Sequence, residues 1–259
     1  MKNIIIFGSS GSIGKHIYNS FTEKGIFNVY GTISNTPNSS ELRSTEFSLS
    51  SKNERKSTTS PPFIPIFIPN APNIITVTID NLNNLLQLDN IDIIVWAQGK
   101  NCNDNIETIE ENMFSKLLEA NVIFITKTLQ FLLDHNKINN NAKMVIISSI
   151  WEKHTRENKL SYSISKAALS GLVKNVSYDL GKRNILINNV LPGVIDNEMT
   201  RQTLTAEELQ YITQYTHFNR LVRLDELFNT IYFLVVENTA ITGQSIVVDL
   251  GFSNIIKYN

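Results

Sequence analysis

The sequence predicts an α/β fold: one doubly wound parallel sheet of about seven strands, with helices on both faces. Three observations predict it. Short apolar, β-branched runs alternate with segments of helical period along the chain. The first run leads directly into a glycine-rich turn and a helix, Gly8-Ser9-Ser10-Gly11-Ser12-Ile13-Gly14. Near the middle, Met144-Val145-Ile146-Ile147-Ser148-Ser149 reads as a buried strand ending in a hydroxyl pair, and a helix bearing Tyr162 and Lys166 follows it.

Taken in order, Asn3–Phe7 is the first strand. The glycine turn lets the backbone approach a pyrophosphate, and the following helix offers its free N–H groups to it, with Ile13, Ile17 and Phe21 on its apolar face. Asn28–Ile33 is the second strand. From Thr36 to Asn73 the pattern breaks into a polar tract, then Pro61, Pro62, Pro65, Pro69 and Pro72 interleaved with apolar residues. Proline at that density forbids a central strand or helix, so residues 36–73 read as an irregular insertion. The segment Phe63–Ile68 within it reads as insertion rather than partner site. Ile74–Ile79 is the third strand. Asp80 either caps the short helix carrying Leu82, Leu85 and Leu86 or lines an adenine pocket.

Ile91–Trp96 is the fourth strand, ending at Ala97-Gln98-Gly99. An amphipathic helical region over about Glu107–Asn136 places the polar Asn121 on its apolar stripe, where it is a satisfied structural amide or a site residue. After the Tyr162 helix, Gly181 is the expected stop. A sixth strand over Ile185–Leu191 runs into Pro192-Gly193. The polar stretch 196–217 suits a helical lid, Asp225–Val236 a helix, and Ser245–Asp249 a last strand. The whole is expected to be one domain.

Composition narrows the function. Lys plus Arg (23) nearly balances Asp plus Glu (24), which gives no electrostatic reason for nucleic acid or an anionic membrane surface. The lone Cys102 and four scattered histidines offer neither an intrachain disulfide nor metal-ligand spacing, so no metal is expected. No apolar run is long enough to span a membrane, and a strand starting at Asn3 leaves no room for a signal peptide; a cytoplasmic protein is expected.

The chemistry lies at Ser149, Tyr162 and Lys166. On a helix, residues four apart share a face, although such pairs also occur on ordinary helix surfaces. An ammonium close to a phenol favours the phenolate, so Tyr162 can act as general acid or base, while Ser149 holds a carbonyl or alcohol oxygen against it. No histidine or carboxylate stands where a nucleophile triad needs one.

With these residues in place the chain resembles the short-chain dehydrogenases/reductases. The resemblance is carried by the glycine turn, Asn121, Ser149, Tyr162-x-x-x-Lys166, Pro192-Gly193 and Ile241-Thr242-Gly243-Gln244 leading to Asp249. It implies a seven-stranded Rossmann sheet and hydride transfer between a nicotinamide nucleotide and a small carbonyl or alcohol substrate. It implies that Asn121, Ser149, Tyr162 and Lys166 are catalytic: Tyr162 the acid/base, Lys166 its activator and ribose ligand, Asn121 the holder of a water. It assigns cofactor contacts to Gly8, Ser10, Ser12, Ile13, Gly14, Ser34, Asp80, Ala97, Gly99, Pro192, Gly193, Ile195 and Asn197, besides Asn121, Tyr162 and Lys166. The spacing Gly8-x-x-Gly11-x-x-Gly14 matches the longer, sugar-nucleotide branch instead, and Trp96-Ala97-Gln98-Gly99, Asn197 and Leu250 also depart from the common pattern.

The second strand ends at Ile33-Ser34-Asn35 without the acid that selects NAD, so NADP is the expected cofactor, with NAD possible. A nucleotide-sugar epimerase or dehydratase, and a non-catalytic nucleotide sensor, are the competing readings; the intact Asn–Ser–Tyr–Lys set argues against the sensor. The loop after Ser149, with Trp151, Glu152, His154 and Arg156, suggests a polar substrate rather than a steroid. Within the resemblance, the helical region 107–136 and the Tyr162 helix pair between subunits. A homodimer or homotetramer is therefore expected, with Phe124, Phe131 and Val173 extending the apolar stripe.

Overall fold

The computed structural model describes residues 1–34 and 73–254; all but Asn73 of the insertion predicted at 36–73, together with Asn35, lies outside them. Seven parallel strands form a single sheet in the order β3-β2-β1-β4-β5-β6-β7: β1 (Lys2–Phe7), β2 (Phe27–Ile33), β3 (Ile74–Thr76), β4 (Ile91–Trp96), β5 (Ile138–Ile147), β6 (Leu186–Pro192) and β7 (Ser245–Val248). The expected fold class is the observed one. The order of the strands reverses beside β1, which opens a crevice at the carboxyl ends of β1 and β4.

Why the strands are apolar on both sides is clear from the core. Ile4, Ile6, Val95, Val145 and Val190 pack on α1 (Ser12–Glu23) and α7 (Leu224–Tyr232). Their neighbours Ile5, Phe7, Trp96, Ile146 and Ile187 face the other way, toward α3 (Phe124–Asp134) and α4 (Leu160–Asp179). Successive side chains alternate across the sheet, so only a run of consecutive apolar residues can satisfy two helical layers.

Four local expectations are corrected. The third strand stops at Thr76 rather than Ile79, because Thr78 and Asn81 close a tight turn at the sheet edge. Asp80 caps nothing: it is exposed, and the following 3₁₀ turn (Asn83–Gln87) starts after Leu82 with no side-chain cap. Gly181 does not stop α4 by reversing the chain. It opens a 3₁₀ turn, and the left-handed residue is Asn184 (φ 55°), a residue type that tolerates that conformation. Val173 faces the core and is fully buried, while Phe124 and Phe131 are half-buried against it. The exposed apolar side chains of this region are instead Met113 on α2 (Glu111–Leu118), Ile123, and Ile164 on α4.

The helical region 107–136 is not uniform. A π-helical turn over Glu119–Ile123 separates α2 from α3 and carries Asn121. The lid stretch forms two short helices, α5 (Glu198–Thr203) and α6 (Ala206–Gln214), the second begun by a capping box between Thr205 and Glu208. At the carboxyl end of β7, Leu250 takes a left-handed φ of 56° where glycine would be free of strain. The Asp249 carboxylate holds this turn, accepting from the backbone N–H of Gly251 and Ser253 and from the Ser253 hydroxyl.

Glycine is required where the first turn meets α1. Gly8 has φ 80°, and a Cβ at Gly14 would lie 2.1 Å from the Gly8 carbonyl oxygen. Gly14→Ala must push the helix off the turn, and overpacking of this kind costs about 1–3 kcal/mol. Urea unfolding of the variant should show that loss of stability, and unchanged stability would show that the turn yields freely.

Candidate active site

The site assembles at the carboxyl edge of β5 and β6. Ser149 follows β5 and caps the short 3₁₀ turn Ile150–Glu152, its hydroxyl oxygen accepting from the Trp151 N–H at 3.3 Å. Tyr162 and Lys166 stand one turn apart on α4 and lean toward that strand end. The hydroxyl of Ser149 stands near enough to the Tyr162 phenol to lower it by hydrogen bonding, and both line one cavity. Lys166 is buried, and its ammonium donates to the carbonyl of Ile147 at 3.0 Å.

The electrostatics differ from the simple expectation. Burial is the largest influence on Tyr162 and pushes its phenol above the ordinary value, with the Ser149 hydrogen bond pulling it back. Burial outweighs the pull of Lys166, whose Nζ is directed to Ile147 and lies 5.7 Å from the centre of the Tyr162 ring. Burial acts on Lys166 itself, bringing it down from 10.5 to about 8, against the attraction of the Glu152 carboxylate. At neutral pH the pair is therefore a neutral phenol beside an ammonium. Glu152 is itself buried and accepts from the side chains of Asn189 and Ser245, which ties the loop to β6 and β7.

Asn121 holds the floor of the site. Its side-chain oxygen accepts from the Lys100 N–H at 2.7 Å, and its amide donates to the Lys100 carbonyl and to the Ser165 hydroxyl, each at 2.9 Å. The chain after β4 is thus pinned to α4 in the turn just before Lys166. Gly99 fits into this junction: a Cβ there would lie 3.3 Å from Asn121 Oδ1 and 3.6 Å from Lys166 Nζ.

A cavity of about 250 Å³ brings together Ser149 and Tyr162 with Ile13, Pro192, Gly193, Ile195 and Asn197. Asn197 caps α5 through the Thr200 N–H and donates to Ser12 Oγ at 3.1 Å, so the lid is tied to the start of α1. Gly8 and Ser10 lie in the turn after β1, Gly14 lies in the first turn of α1, and Ala97 and Gly99 follow β4, the strand adjacent to β1. Ser34 is exposed at the end of β2. Asp80 is outside this group, beyond the edge strand.

The residues present fit a dinucleotide. Among the described residues, Gln98 has both side-chain amide atoms buried without a partner, and its backbone lies against Gly8, where a Cβ would come within 2.6 Å. Beside the glycine turn this amide is free to pair with a polar ligand or with water. No group of three His, Cys, Asp or Glu side chains that could hold a metal occurs among the described residues.

The family model described as enoyl-(acyl carrier protein) reductase matches residues 76–253. The chain belongs to the short-chain dehydrogenase/reductase family. It is similar to 7alpha-hydroxysteroid dehydrogenase of Escherichia coli strain K12, 30% identical over 139 residues, which cover 53% of this chain and 54% of that protein. It is also similar to L-rhamnose 1-dehydrogenase (NADP(+)) of Thermoplasma acidophilum, 30% identical over 148 residues, 55% of this chain and 58% of that one. The chain thus spans about half the length of the curated relatives it matches. The crystal structure of a short chain dehydrogenase family protein from Francisella tularensis superposes with a TM-score of 0.77 over 98% of this chain and all of the other, at 20% identity. That likeness supports the fold.

Sequence reasoning missed Lys159, Asn101 and the structural use of Glu152. Lys159 could have been found, since a lysine just before a helix start opposes the helix dipole and stands three residues from Tyr162. Asn101 carries no such signal.

The charge of Lys166 makes stability depend on pH. Its folded value of about 8 is below its ordinary 10.5, so between those values the unfolded chain binds more protons and stability rises with pH. Between pH 7 and 10, wild-type protein should gain about 2 kcal/mol relative to Lys166→Met in urea unfolding. A difference that stays constant, or moves the other way, would show that Lys166 is not desolvated.

Proposed function

We propose that the protein is an NADP(H)-dependent oxidoreductase that interconverts a carbonyl and an alcohol, with Tyr162 as proton donor and acceptor. The observation that carries this reading is that Ser149 and Tyr162 line the wall of one cavity, with the Lys166 ammonium buried next to Tyr162 on α4. When bound, a nicotinamide nucleotide supplies the hydride. The rest is the work of this chain's residues. Ser149 and Tyr162 receive the carbonyl oxygen between two hydroxyls. Tyr162, neutral at working pH, gives its proton to that oxygen as negative charge develops there. The ammonium of Lys166 then stabilises the phenolate that remains. Asn121 acts as a positioning residue, through Lys100 and Ser165.

NADP(H) is favoured because neither Ile33 nor Ser34, at the end of β2, is an acid that would repel a 2′-phosphate. The relative from Thermoplasma acidophilum carries NADP(+) in its name. The spacing of Gly8, Gly11 and Gly14 is the one observation for a second reading, an epimerase or dehydratase that returns its nucleotide unchanged.

We infer further that α2 and α4 face a second copy of the chain, because Met113, Ile123 and Ile164 leave apolar surface exposed there. No helix among the described residues is long and apolar enough to cross a membrane.

Two experiments test these readings. NADPH and NADH oxidation should be followed against a panel of ketones and keto-sugars, with wild-type protein and Tyr162→Phe. Net oxidation of NADPH in preference to NADH is expected, with turnover falling by roughly 10²–10⁴ in the variant and nucleotide binding kept within a few-fold. Unaltered turnover of Tyr162→Phe would remove Tyr162 from the mechanism, and nucleotide cycling without net oxidation would favour the second reading. Light scattering at micromolar concentration should report a dimer or tetramer, and Ile164→Glu should shift it toward monomer; wild-type protein that is only monomeric would end the assembly proposal.

A further inference from the structure

Charge is distributed unevenly around the cavity. Two cations line its wall, Arg156 and Lys159, and no aspartate or glutamate does. Lys159 is buried, with Nζ 5.6 Å from the centre of the Tyr162 ring. It donates only to neutral oxygens: Oδ1 of Asn101 at 2.9 Å, the Cys102 carbonyl at 3.3 Å, and Oδ1 of Asn103. The acid closest in sequence and charge, Asp104, lies off the wall and accepts from the Ser161 N–H at 2.9 Å and from the Cys102 thiol. Arg156 makes none of the ion pairs found among the described residues, and its guanidinium lies 5.8 Å from the centre of the Trp151 ring. Burial pushes Lys159 down and the neighbouring charge of Arg156 pushes it further, while Cys102 and Asp104 offset part of the shift.

Two like charges beside one hollow, one of them desolvated and with its three donors spent on neutral oxygens, favour an anion in that hollow over a neutral group. Asn101 adds to the same wall. With its oxygen taken by Lys159, its amino group is the part left to serve a ligand, and that group is a donor. The acids of this region are placed elsewhere. Glu207 and Glu208 line a larger neighbouring pocket of about 720 Å³, which shares Ile150, Trp151, Arg156, Val194 and Ile212 with the inner cavity. The outer pocket thus mixes Arg156 with two acids, while the inner one carries Arg156 and Lys159 with no acid on its wall among the described residues, so an anion is favoured in the inner one.

We propose that Arg156, Lys159 and Asn101 form an anion subsite beside Ser149 and Tyr162, and that the substrate is a compact oxo compound bearing a carboxylate or phosphate near its reacting carbonyl. The catalytic half of this statement rests on the oxidoreductase reading; the anion subsite stands on the cavity wall alone. The subsite also separates this chain from a steroid-binding one, since an apolar substrate would cover the buried Lys159 and the exposed Arg156 without bringing a charge to either.

The test has two arms. In the first, binding of malonate and of inorganic phosphate is measured by calorimetry on wild-type protein, Arg156→Gln and Lys159→Gln, with circular dichroism to confirm folding. Wild-type protein should bind at least one of the two anions, and Arg156→Gln, at an exposed position, should weaken it at least tenfold. Tighter phosphate than malonate would assign the anion as phosphate, and the reverse as carboxylate. In the second arm, NADPH oxidation with acetoacetate is compared with methyl acetoacetate, and dihydroxyacetone phosphate with dihydroxyacetone. The charged member of at least one pair should have the higher kcat/KM by tenfold or more, and that ratio should fall toward one in Arg156→Gln. Anion binding that is absent, or equal in wild-type and both variants, overturns the subsite. Binding as expected without any oxidation of NADPH would keep the subsite and overturn the oxidoreductase reading instead. Neutral partners used as well as charged ones would overturn the substrate class.

Discussion

A buried ammonium is the constraint on which the rest of the site depends. Lys166 is withdrawn from water and given a single carbonyl, that of Ile147, in place of its hydration shell. Such a group is costly, and its lowered value measures that cost. The surrounding elements hold it where its charge is useful. The end of β5 supplies the carbonyl, Glu152 supplies an opposing charge from the next turn, and β6 and β7 hold Glu152 through Asn189 and Ser245. Gly99 leaves room beside the ammonium, and Asn121 fixes both the chain after Gly99 and the helical turn before Lys166. The π turn makes the last of these possible. An extra residue in the turn lets an inward side chain meet two segments at once, which an unbroken helix would have to do with regular spacing.

The phenol and the ammonium then divide the work differently from the way their spacing suggests. An i, i+4 pair invites the idea that the cation lowers the phenol directly. Here the cation is turned to the strand end, and desolvation dominates at both groups, raising one and lowering the other. A neutral acid beside a cation is the form suited to donating a proton to a carbonyl, because the charge that appears on the phenol after transfer finds the ammonium close by.

Much of this was legible in the sequence because it is local or repetitive. Strand positions follow from consecutive apolar residues, since both faces of the sheet are covered by helices. The first turn was legible because Gly8 and Gly14 are needed at a fixed distance for the helix to pack on it. Tyr162 and Lys166 were legible because a helix converts spacing into a shared face. What stayed hidden depends on contacts distant in the chain. The use of Asn121 requires Lys100 and Ser165, and the burial of Lys159 requires the segment 101–103. Burial of Val173 depended on which side of α4 met the sheet, and the stripe alone did not say. The end of β3 was set by a four-residue turn between Thr78 and Asn81, whose residues differ little from those of a strand.

The lid and the glycine turn are joined in one further way. Asn197 spends its oxygen on capping α5 and its amide on Ser12, the first residue of α1. The backbone just before it reaches the body through Ile195, which pairs with Val222. Asp196, between them, is held well below the usual carboxylate range by its hydrogen bonds from Arg201, so the start of the lid carries a closed ion pair rather than a free charge. The start of the 196–217 stretch is thus anchored to the first residue of α1. Any ligand that moves Ser12 must also move Asn197 or break their bond. This bond joins the start of α5 to the start of α1, and Ser149, Tyr162 and Asn197 line the cavity beside it.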